Sequence, residues 1–386
     1  MATTDKQSKI SKINSNWATC INPLRGLTKP QIEQMLQNAR HGNDVRLQIA
    51  FKEIERTMPI FGICIEKRLA GIINRKWSIT RIDESDEAYE QVKAVQKVFD
   101  KCDTKNQDGL TNALRHLGLA TFRGRSCVKP FFHGNDLVLK CLDNWNVLDI
   151  NNHLYWNPNG TSEVDFENPQ LAELSNNEVC VVRNELPIDI PGIQIYLRQL
   201  VGEEQWARAV EKYGVAQVLI TAPEGTTESQ LALWENRAFR IFEGGSGVLP
   251  SGSQVEAMTD ARGQDPFSEY IRHQMEMISI LAIGGSLNTI GGSTGLGSDL
   301  ASQQNEQFQS LINQDCKKIS NAISETIVSK VVKHLFGNVY CKVRFTFIED
   351  EEYSANEYID MASKLNQLGI KVDVKKLKEL TKLNFI

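Results

Sequence analysis

Apolar residues recur at three- and four-residue spacing along most of this chain, and such spacing is typical of amphipathic helices. In the N-terminal half it predicts helices over residues 28–41, 44–57 and 86–99, and the mostly apolar run 60–72 predicts a buried helix. Residues 76–82 instead alternate between apolar and polar side chains, which predicts a half-buried strand.

Two-residue alternation dominates the next stretch. Segments rich in Val, Leu and aromatic residues are separated by the turn sequences HGND and NPNG, which favour hairpins. With the preceding helices, they predict an α+β unit that contains a mostly antiparallel sheet. The segments are 126–132, 136–142, 153–157 and 178–184.

Helical spacing returns in the second half, where two amphipathic helices flank a small insert. The helices are predicted over residues 193–213 and 265–283, and each carries charged residues off its apolar stripe. Residues 215–259, between them, are predicted to contain a strand, a helix, a Gly-rich turn and a strand pair. The pattern therefore predicts a compact β-α-β insert between two helices.

An uncharged Gly-rich segment, residues 284–298, follows the second of these helices. It holds six glycines in fifteen residues, a composition typical of a flexible loop. Residues 299–336 contain neither Gly nor Pro and carry apolar residues at helical spacing, which predicts one helix of about 55 Å. Residues 339–349 then predict a strand, and residues 354–386 predict two short helices.

Composition excludes some classes of protein. The 386 residues carry 43 Lys and Arg against 48 Asp and Glu, a net charge of −5, whereas proteins that coat nucleic acid are usually basic. No apolar run approaches the roughly 18 residues that span a bilayer, so we expect no membrane association. The polar residues 1–27 are expected to form a flexible arm rather than a signal sequence.

The eight cysteines are not spaced as metal ligands. They form no CxxC or CxxxC pair, and several lie within apolar runs, where a thiol acts as a small hydrophobe. The six histidines form no HxH or HExxH pair. We therefore expect reduced, mostly buried cysteines, no metal site and no cofactor. The cysteines are Cys20, Cys64, Cys102, Cys127, Cys141, Cys180, Cys316 and Cys341.

Candidate catalytic chemistry is confined to the Gly-rich segment. Gly291-Gly292-Ser293-Thr294-Gly295 matches the G-x-S-x-G pattern of serine hydrolases. A nucleophile elbow needs a strand before the turn and a helix directly after it, whereas here a helix precedes the motif. No constellation of residues supports catalysis, and a serine hydrolase that acts through Ser293 is kept as an alternative hypothesis.

The order of the predicted elements, together with a series of short motifs, resembles a known family. A basic pair precedes a Trp strand, an aromatic-Gly pair ends the first long helix, and Pro-x-Gly and Leu-Pro-x-Gly turns follow in the insert. These motifs are Lys67-Arg68, Trp77-Ser78-Ile79, Tyr213-Gly214, Pro223-Glu224-Gly225, Leu249-Pro250-Ser251-Gly252 and Asp265-Pro266-Phe267. Over residues 25–380 this order resembles that of tailed-phage portal proteins, and more narrowly of the Mu-like portal family.

The resemblance implies a portal fold with a defined division of the chain. It departs from the family at residues 188–193, where the family has small residues, and the short tail implies a small crown. The implied parts are an arm (1–27), an α/β wing (28–191), a first stem helix (192–214), a β-α-β clip (215–259), a second stem helix (260–283), a tunnel loop (284–298), a long tunnel helix with a returning wing strand (299–350) and a helical crown (351–386).

The resemblance also implies a function without enzymatic activity. Portal proteins form a ring, here expected to have twelve subunits, at one vertex of the capsid in the virion, and they assemble in the cytoplasm of the host bacterium. The ring passes double-stranded DNA without sequence specificity during packaging and ejection. The implied partners are further copies of this chain, the terminase large subunit, a head–tail adaptor, and the major capsid and scaffold proteins.

Three groups of site residues are carried over from the resemblance. The tunnel loop would face DNA with Gly284, Gly285, Ser286, Asn288, Thr289, Gly291, Gly292, Ser293 and Gly295. The clip would dock terminase and then the adaptor with Glu224, Gly225, Glu228, Trp234, Arg237, Arg240 and Glu243. The stem would carry Arg208, Glu211, Lys212, Arg272 and Glu276.

The net charge agrees with this implied function, because an acidic or neutral channel avoids the cation–phosphate contacts that would hold DNA in place. A second alternative is a non-viral scaffold protein that uses the same helices only to oligomerise.

Overall fold

The computed structural model describes residues 29–104, 108–134, 136–157, 171–175, 177–213, 217–221, 227, 254–258, 266–285, 298–348 and 363–364. Within these residues the chain is a mixed α+β protein in which every paired strand is antiparallel, which confirms the predicted fold class.

The N-terminal half begins with three helices, and each predicted helix is present. The fourth helix begins at Asp86 and is capped by Ser85, whose hydroxyl accepts a hydrogen bond from the Ala88 amide at 3.2 Å. The elements are α1 (Lys29–Arg40), α2 (Val45–Thr57), α3 (Pro59–Ile73), β1 (Trp77–Arg81), α4 (Asp86–Asp103), α5 (Leu110–Gly118) and the one-turn α6 (Ala120–Arg123).

The strands that follow are β2 (Arg125–His133), β3 (Asp136–Leu142), β4 (Val147–Ile150), β5 (His153–Trp156), β6 (Ala172–Leu174) and β7 (Cys180–Arg183). They form two sheets rather than the one expected. One sheet has the order β3-β2-β7 and the other the order β4-β5-β6. The hairpin of β2 and β3 pairs His133 with Asp136, as the HGND turn predicts. Two short strands, β4 and β6, were not predicted, because neither carries a clear alternation.

In the second half, the first long helix begins earlier than predicted. It starts at Asp189 rather than at Ile193, since Pro191 is tolerated in the first helical turn, where its missing N–H has no intrahelical partner. Two strands of the insert pair with each other, from Gln217↔Met258 to Thr221↔Gln254. The elements are α7 (Asp189–Tyr213), β8 (Gln217–Thr221), β9 (Gln254–Met258) and α8 (Pro266–Ile283).

The predicted 299–336 helix runs from Ser298 to Phe336 but is not α-helical throughout. It consists of α9 (Ser298–Ala322), a π-helical segment (Ile323–Val328) and α10 (Ser329–Phe336); we call the whole the long helix. The next strand, β10 (Val343–Phe347), returns to pair with β1, from Trp77↔Phe347 to Arg81↔Val343. This distant pairing confirms the predicted returning strand.

Serine side chains of the long helix bond the outer edge of β10. The Ser320 hydroxyl donates to the Phe345 carbonyl at 2.6 Å, and the Phe345 amide donates to Ser324 Oγ at 3.0 Å. The backbone of this edge strand is therefore satisfied by side chains at Phe345.

The described residues form three hydrophobic clusters, and two of them hold the helices together. The larger packs α4, α5 and the β1–β10 pair against the apolar face of the long helix, and Trp77 stacks on Phe345 with ring centroids 5.5 Å apart. The second joins α2 and α3 to the start of α7 and the end of α8, with Phe51 and Phe61 in edge-to-face contact at 5.6 Å. The start of α7 and the end of α8 are thus fixed in the core.

The described cysteines are unbridged, as expected, and most are buried. Several predictions lie outside the described residues: the arm, Cys20, the helix within the insert, most of the Gly-rich segment and nearly all of the C-terminal tail. Among the described residues, no helix combines the length and apolar character that crossing a membrane requires.

Candidate functional site

The two helices that flank the insert, α7 and α8, pack directly against each other. They approach closely at Gly202, where a Cβ atom would lie 2.8 Å from two atoms of the Tyr270 ring. Helix α8 also packs on α3, with Cys64 Sγ and Ser279 Oγ 4.0 Å apart. The α7–α8 pair is therefore anchored to the N-terminal half of the protein through α3.

The charged residues predicted on this helix pair form ion pairs within each helix. Arg208 Nη2 lies 2.7 Å from Glu204 Oε1, and Arg272 Nε lies 3.1 Å from Glu276 Oε1. These are exposed pairs at i,i+4 spacing, each with a small contribution to stability. Glu211 and Lys212 lie in α7, but their side chains are outside the described part of the chain.

Helix α8 also carries apolar side chains that reach solvent. Met277, Ile280 and Leu281 are 41%, 51% and 37% exposed and lie at i, i+3 and i+4, on one face of the helix. An apolar helix face that the chain itself leaves exposed is typical of a protein–protein contact.

Gly284 ends α8 and begins the Gly-rich segment. Its φ of 77° lies in the left-handed region that glycine adopts without strain, and its amide bonds the Ile280 carbonyl at 2.9 Å. A Cβ atom on Gly285 would lie 2.5 Å from Gln304 Oε1 of the long helix. Of the nine loop residues predicted to face DNA, Gly284 and Gly285 are described and the other seven are not.

A buried ion pair joins α3 to the long helix beside the end of α8, where the Gly-rich segment begins. Arg68 Nε of α3 lies 2.7 Å from Asp315 Oδ2 of the long helix, and both side chains are 5% exposed. Arg68 Nη1 donates to the Ala282 carbonyl in the last turn of α8 at 2.6 Å. Thr121 Oγ1 donates to Asp315 Oδ1 at 3.0 Å. One guanidinium thus connects α3, the last turn of α8 and the long helix next to the start of the segment.

Sequence reasoning did not single out this ion pair, although a signal was present. Asp315 lies between Ile312 and Ile319 on the apolar face of the long helix, and Arg68 lies among the apolar residues of α3. A single acid in one apolar face and a single base in another can be buried only together. The pattern cannot show which two such residues meet, because they are 247 positions apart.

A second buried polar network holds the start of α7. Gln48 Nε2 donates to Asp44 Oδ2 at 2.9 Å and approaches Asp189 Oδ2 at 3.3 Å. Arg125 holds Asp44 in a bidentate ion pair at 2.7 and 2.8 Å. Asp189 accepts the Ile190 amide at 2.7 Å, and burial raises its pKa to about 7. The carboxyl group is therefore close to half-protonated near neutral pH.

The residues predicted to dock partners are not brought together by the described structure. Glu224, Gly225, Glu228, Trp234, Arg237, Arg240 and Glu243 all lie outside the described residues. Of this insert, the structure describes the antiparallel pair β8–β9 and Thr227. In the described part of the chain, no group of three or more His, Cys, Asp and Glu side chains could hold a metal ion.

Comparison with known proteins identifies relatives over nearly the whole chain. The model of the family described as the portal protein of Mu bacteriophage matches residues 48–383. The portal protein of Escherichia phage Mu is 25% identical over 325 residues, which are 80% of this chain and 61% of that protein. The chain thus spans less than two thirds of the length of this relative.

Solved structures share the fold at much lower identity. A chain from the neck of an empty gene transfer agent particle aligns with a TM-score of 0.58 and 12% identity, covering 86% of this chain and 93% of that one. A chain from the neck of the native particle aligns with a TM-score of 0.55 and 12% identity, covering 91% and 93%.

Proposed function

We propose, because this chain belongs to the Mu bacteriophage family of portal proteins, that it forms a closed ring of twelve copies around a DNA channel at one vertex of a phage capsid. The family is structural rather than enzymatic. The alternative hypothesis of a serine hydrolase at Ser293 is therefore set aside. Membership of a phage family likewise favours the portal function over a non-viral scaffold.

The observation that carries this proposal is the buried junction at the base of the Gly-rich segment. Arg68 connects the end of α8, the long helix and α3, so the start of the loop is attached to a rigid base. A loop that contacts moving DNA needs such a base, since force on the loop has to be passed to the body of the ring. In the proposed ring, residues 284–298 line the channel.

The chemistry of the loop supports this role. Residues 284–298 carry no charge, and their Ser, Asn and Thr side chains can form transient hydrogen bonds with a passing duplex. Cationic side chains would instead form contacts with phosphates that strengthen as salt falls. The overall net charge of −5 likewise disfavours tight DNA binding.

A ring of identical subunits requires a head-to-tail contact between two different faces of each subunit. The exposed face of Met277, Ile280 and Leu281 on α8 is suited to one side of such a contact. In this arrangement the α7–α8 pairs of successive subunits stand side by side around the channel.

Further proposals concern the binding partners of the ring and its location. Residues 215–259 are proposed to dock the terminase large subunit during packaging and the head–tail adaptor afterwards. The wing is proposed to contact the major capsid and scaffold proteins. The ring would reside in the virion after assembly in the bacterial cytoplasm. In each case support comes from family membership and from the order of the elements along the chain.

Native mass spectrometry and negative-stain imaging of the purified full chain test the central proposal. We expect closed rings with a central hole, and a dominant mass of twelve subunits. A chain that stays monomeric across salt and protein concentrations would overturn the proposal. The variant Ile280→Glu/Leu281→Glu should form fewer rings, whereas Lys97→Glu, at an exposed position on α4 outside the helix pair, should not.

A further inference from the structure

A groove of about 780 Å³ runs between the long helix and the outer edge of β10. It begins at Arg75, just before β1, and extends along β10 from Arg344 to Phe347. Arg75, Lys317 and Arg344 give it positive charge, and Glu325 is the only carboxylate among the described residues that line it. Its remaining polar lining comes from amides and hydroxyls: Ser310, Asn313, Gln314, Ser320, Asn321, Ser324 and Thr346.

This groove is suited to receiving side chains rather than an added strand. Strand addition needs the free backbone groups of an edge strand. At Phe345 those groups are already bonded by Ser320 and Ser324. A partner would therefore be held by its side chains, and the lining favours carboxylates.

An acidic patch lies just beyond the end of the β1–β10 pair at which Arg81 pairs with Val343. Five carboxylates occur within eight residues, between the end of β1 and the first turns of α4, and all are exposed. Exposed apolar side chains accompany them: Ile82 at 62%, Tyr89 at 60% and Tyr340 at 89%. We name this surface the acidic patch, formed by Asp83, Glu84, Asp86, Glu87 and Glu90.

The patch is held in a fixed shape. Gln91 Nε2 donates to the Tyr340 carbonyl at 3.0 Å, and the Lys342 amide donates to Gln91 Oε1 at 2.9 Å. Lys342 Nζ lies 2.7 Å from Glu87 Oε2, so part of the negative charge is compensated within the subunit. Glu84 and Glu90 add to the charge that faces outwards.

The patch lies at one end of the β1–β10 pair, whereas the groove extends along β10 and the long helix. Arg81 pairs with Val343 at the patch end of the two strands, and Trp77 pairs with Phe347 at the end next to Arg75. Arg344 of the groove adjoins Val343 at the patch end, whereas Arg75 lies at the opposite end of the strands, about 13 Å away at 3.3 Å per residue. Opposite charges at separate places on one subunit are complementary in a head-to-tail contact between two copies.

We propose that the acidic patch of one copy docks into the groove of the next copy, so that each copy uses both surfaces in the ring. This inference rests on the proposed ring and names the side chains that join its subunits. Tyr89 and Tyr340 supply apolar area beside the charges, as aromatic residues commonly do in interfaces. The ion pairs set the direction and register of the ring.

Paired charge reversals test the proposal, with native mass spectrometry as the readout. The groove variant is Lys317→Glu/Arg344→Glu, and the patch variant is Glu84→Lys/Glu90→Lys. Each variant alone places like charges opposite each other at every contact, so the fraction of subunits in rings should fall by about tenfold or more. Mixing the two should restore rings in which the variants alternate, because every groove then meets a patch of opposite charge.

The control variant Lys97→Glu/Lys140→Glu changes the net charge by the same amount as the groove variant. Both lysines are exposed and lie outside the two surfaces. The control should form rings alone and should not rescue the patch variant. Rings formed by the groove variant alone, or lost rings that mixing does not restore, would overturn the inference. The latter result would indicate a different occupant of the groove, such as an acidic peptide or DNA. A monomeric wild-type chain would instead overturn the proposed ring, and this inference with it.

Discussion

At the scale of single residues, the fold depends on charges that are buried in pairs. Arg68 and Asp315 are both 5% exposed, so each has lost nearly all contact with water. Their mutual hydrogen bonds compensate for that loss only while both are present. The ion pair therefore specifies where the long helix meets α3, and the adjoining bond to Ala282 fixes the end of α8.

Removing one residue of the Arg68–Asp315 pair should destabilise the protein much more than removing both. We expect Arg68→Met to lower the free energy of unfolding by about 3–5 kcal/mol, because Asp315 is left buried without its cation. The free energy of unfolding should fall clearly less in the double variant Arg68→Met/Asp315→Leu. Urea unfolding followed by circular dichroism measures both. Arg272→Met, which breaks an exposed pair, serves as the control and should cost less than about 1 kcal/mol. If Arg68→Met lowered the free energy of unfolding by less than about 1 kcal/mol, the buried ion pair would not have the role described here.

Asp189 should make stability depend on pH. Burial raises its pKa in the folded protein to about 7, whereas the ordinary value is 3.8. Between these two values the folded state binds more protons than the unfolded state, so stability falls as pH rises from about 4 to 7. Asp189→Asn should remove this fall and stabilise the protein above pH 7 by up to about 4 kcal/mol.

The measurement is the difference in unfolding free energy between wild type and Asp189→Asn from pH 4 to pH 8. Taking this difference removes contributions common to both proteins. One of these is His116, whose pKa is lowered by burial and whose effect has the opposite sign. Glu204→Gln, at an exposed site, should show no comparable trend. A flat difference curve would contradict the assignment.

At the scale of elements, close packing of α7 on α8 depends on Gly202. We expect Gly202→Ala to cost about 1–3 kcal/mol, since its methyl group would lie 2.8 Å from the Tyr270 ring. In a Tyr270→Ala background the same change should become neutral or stabilising, because alanine favours the helix over glycine by about 1 kcal/mol. Thermal unfolding of the four proteins completes the cycle. Equal effects in both backgrounds would show that the ring contact is not the cause.

Much of the element order could be predicted from the sequence, and the exceptions have physical causes. The helices carry apolar stripes that mark them, as Leu47, Phe51 and Ile54 do in α2. The start of α7 was misplaced because Pro191 resembles a terminator, although it fits the first turn. The π-helical segment has no sequence signature of its own. Tertiary contacts are found at this segment, because Ser320, just before it, and Ser324, within it, form hydrogen bonds with β10.

The candidate site was less predictable than the elements. The pattern located the Gly-rich segment and the two helices beside it, but not the Arg68–Asp315 pair, which joins α3 to the long helix beside the end of α8. Partners 247 positions apart leave no local signal. The groove likewise combines Arg75, the long helix and β10, which are adjacent only after β1 and β10 have paired.

At the scale of the whole molecule, net charge and local charge have separate roles. The chain is acidic overall, yet its described surface contains a cationic groove and an acidic patch. In the proposed ring, complementary charges are used between subunits, where they give direction. The segment proposed to meet DNA carries no charge. Charged side chains are thereby kept away from residues 284–298, which in the proposed ring have to release DNA continuously.

Adding positive charge to the loop tests this separation. In particles assembled with the variant as the sole portal protein, Asn288→Lys/Thr289→Lys should lower the amount of DNase-protected DNA. The new cations would bind passing phosphates, and the salt dependence should steepen by about 0.9 in log–log slope for each additional phosphate that is neutralised. Packaging should therefore recover in part as salt is raised. Asn288→Glu/Thr289→Glu, a matched control of opposite charge, should package close to the wild-type amount and show no such salt response. If the lysine and glutamate variants package equally well while both form rings, residues 284–298 do not face DNA and the channel is lined by another part of the chain.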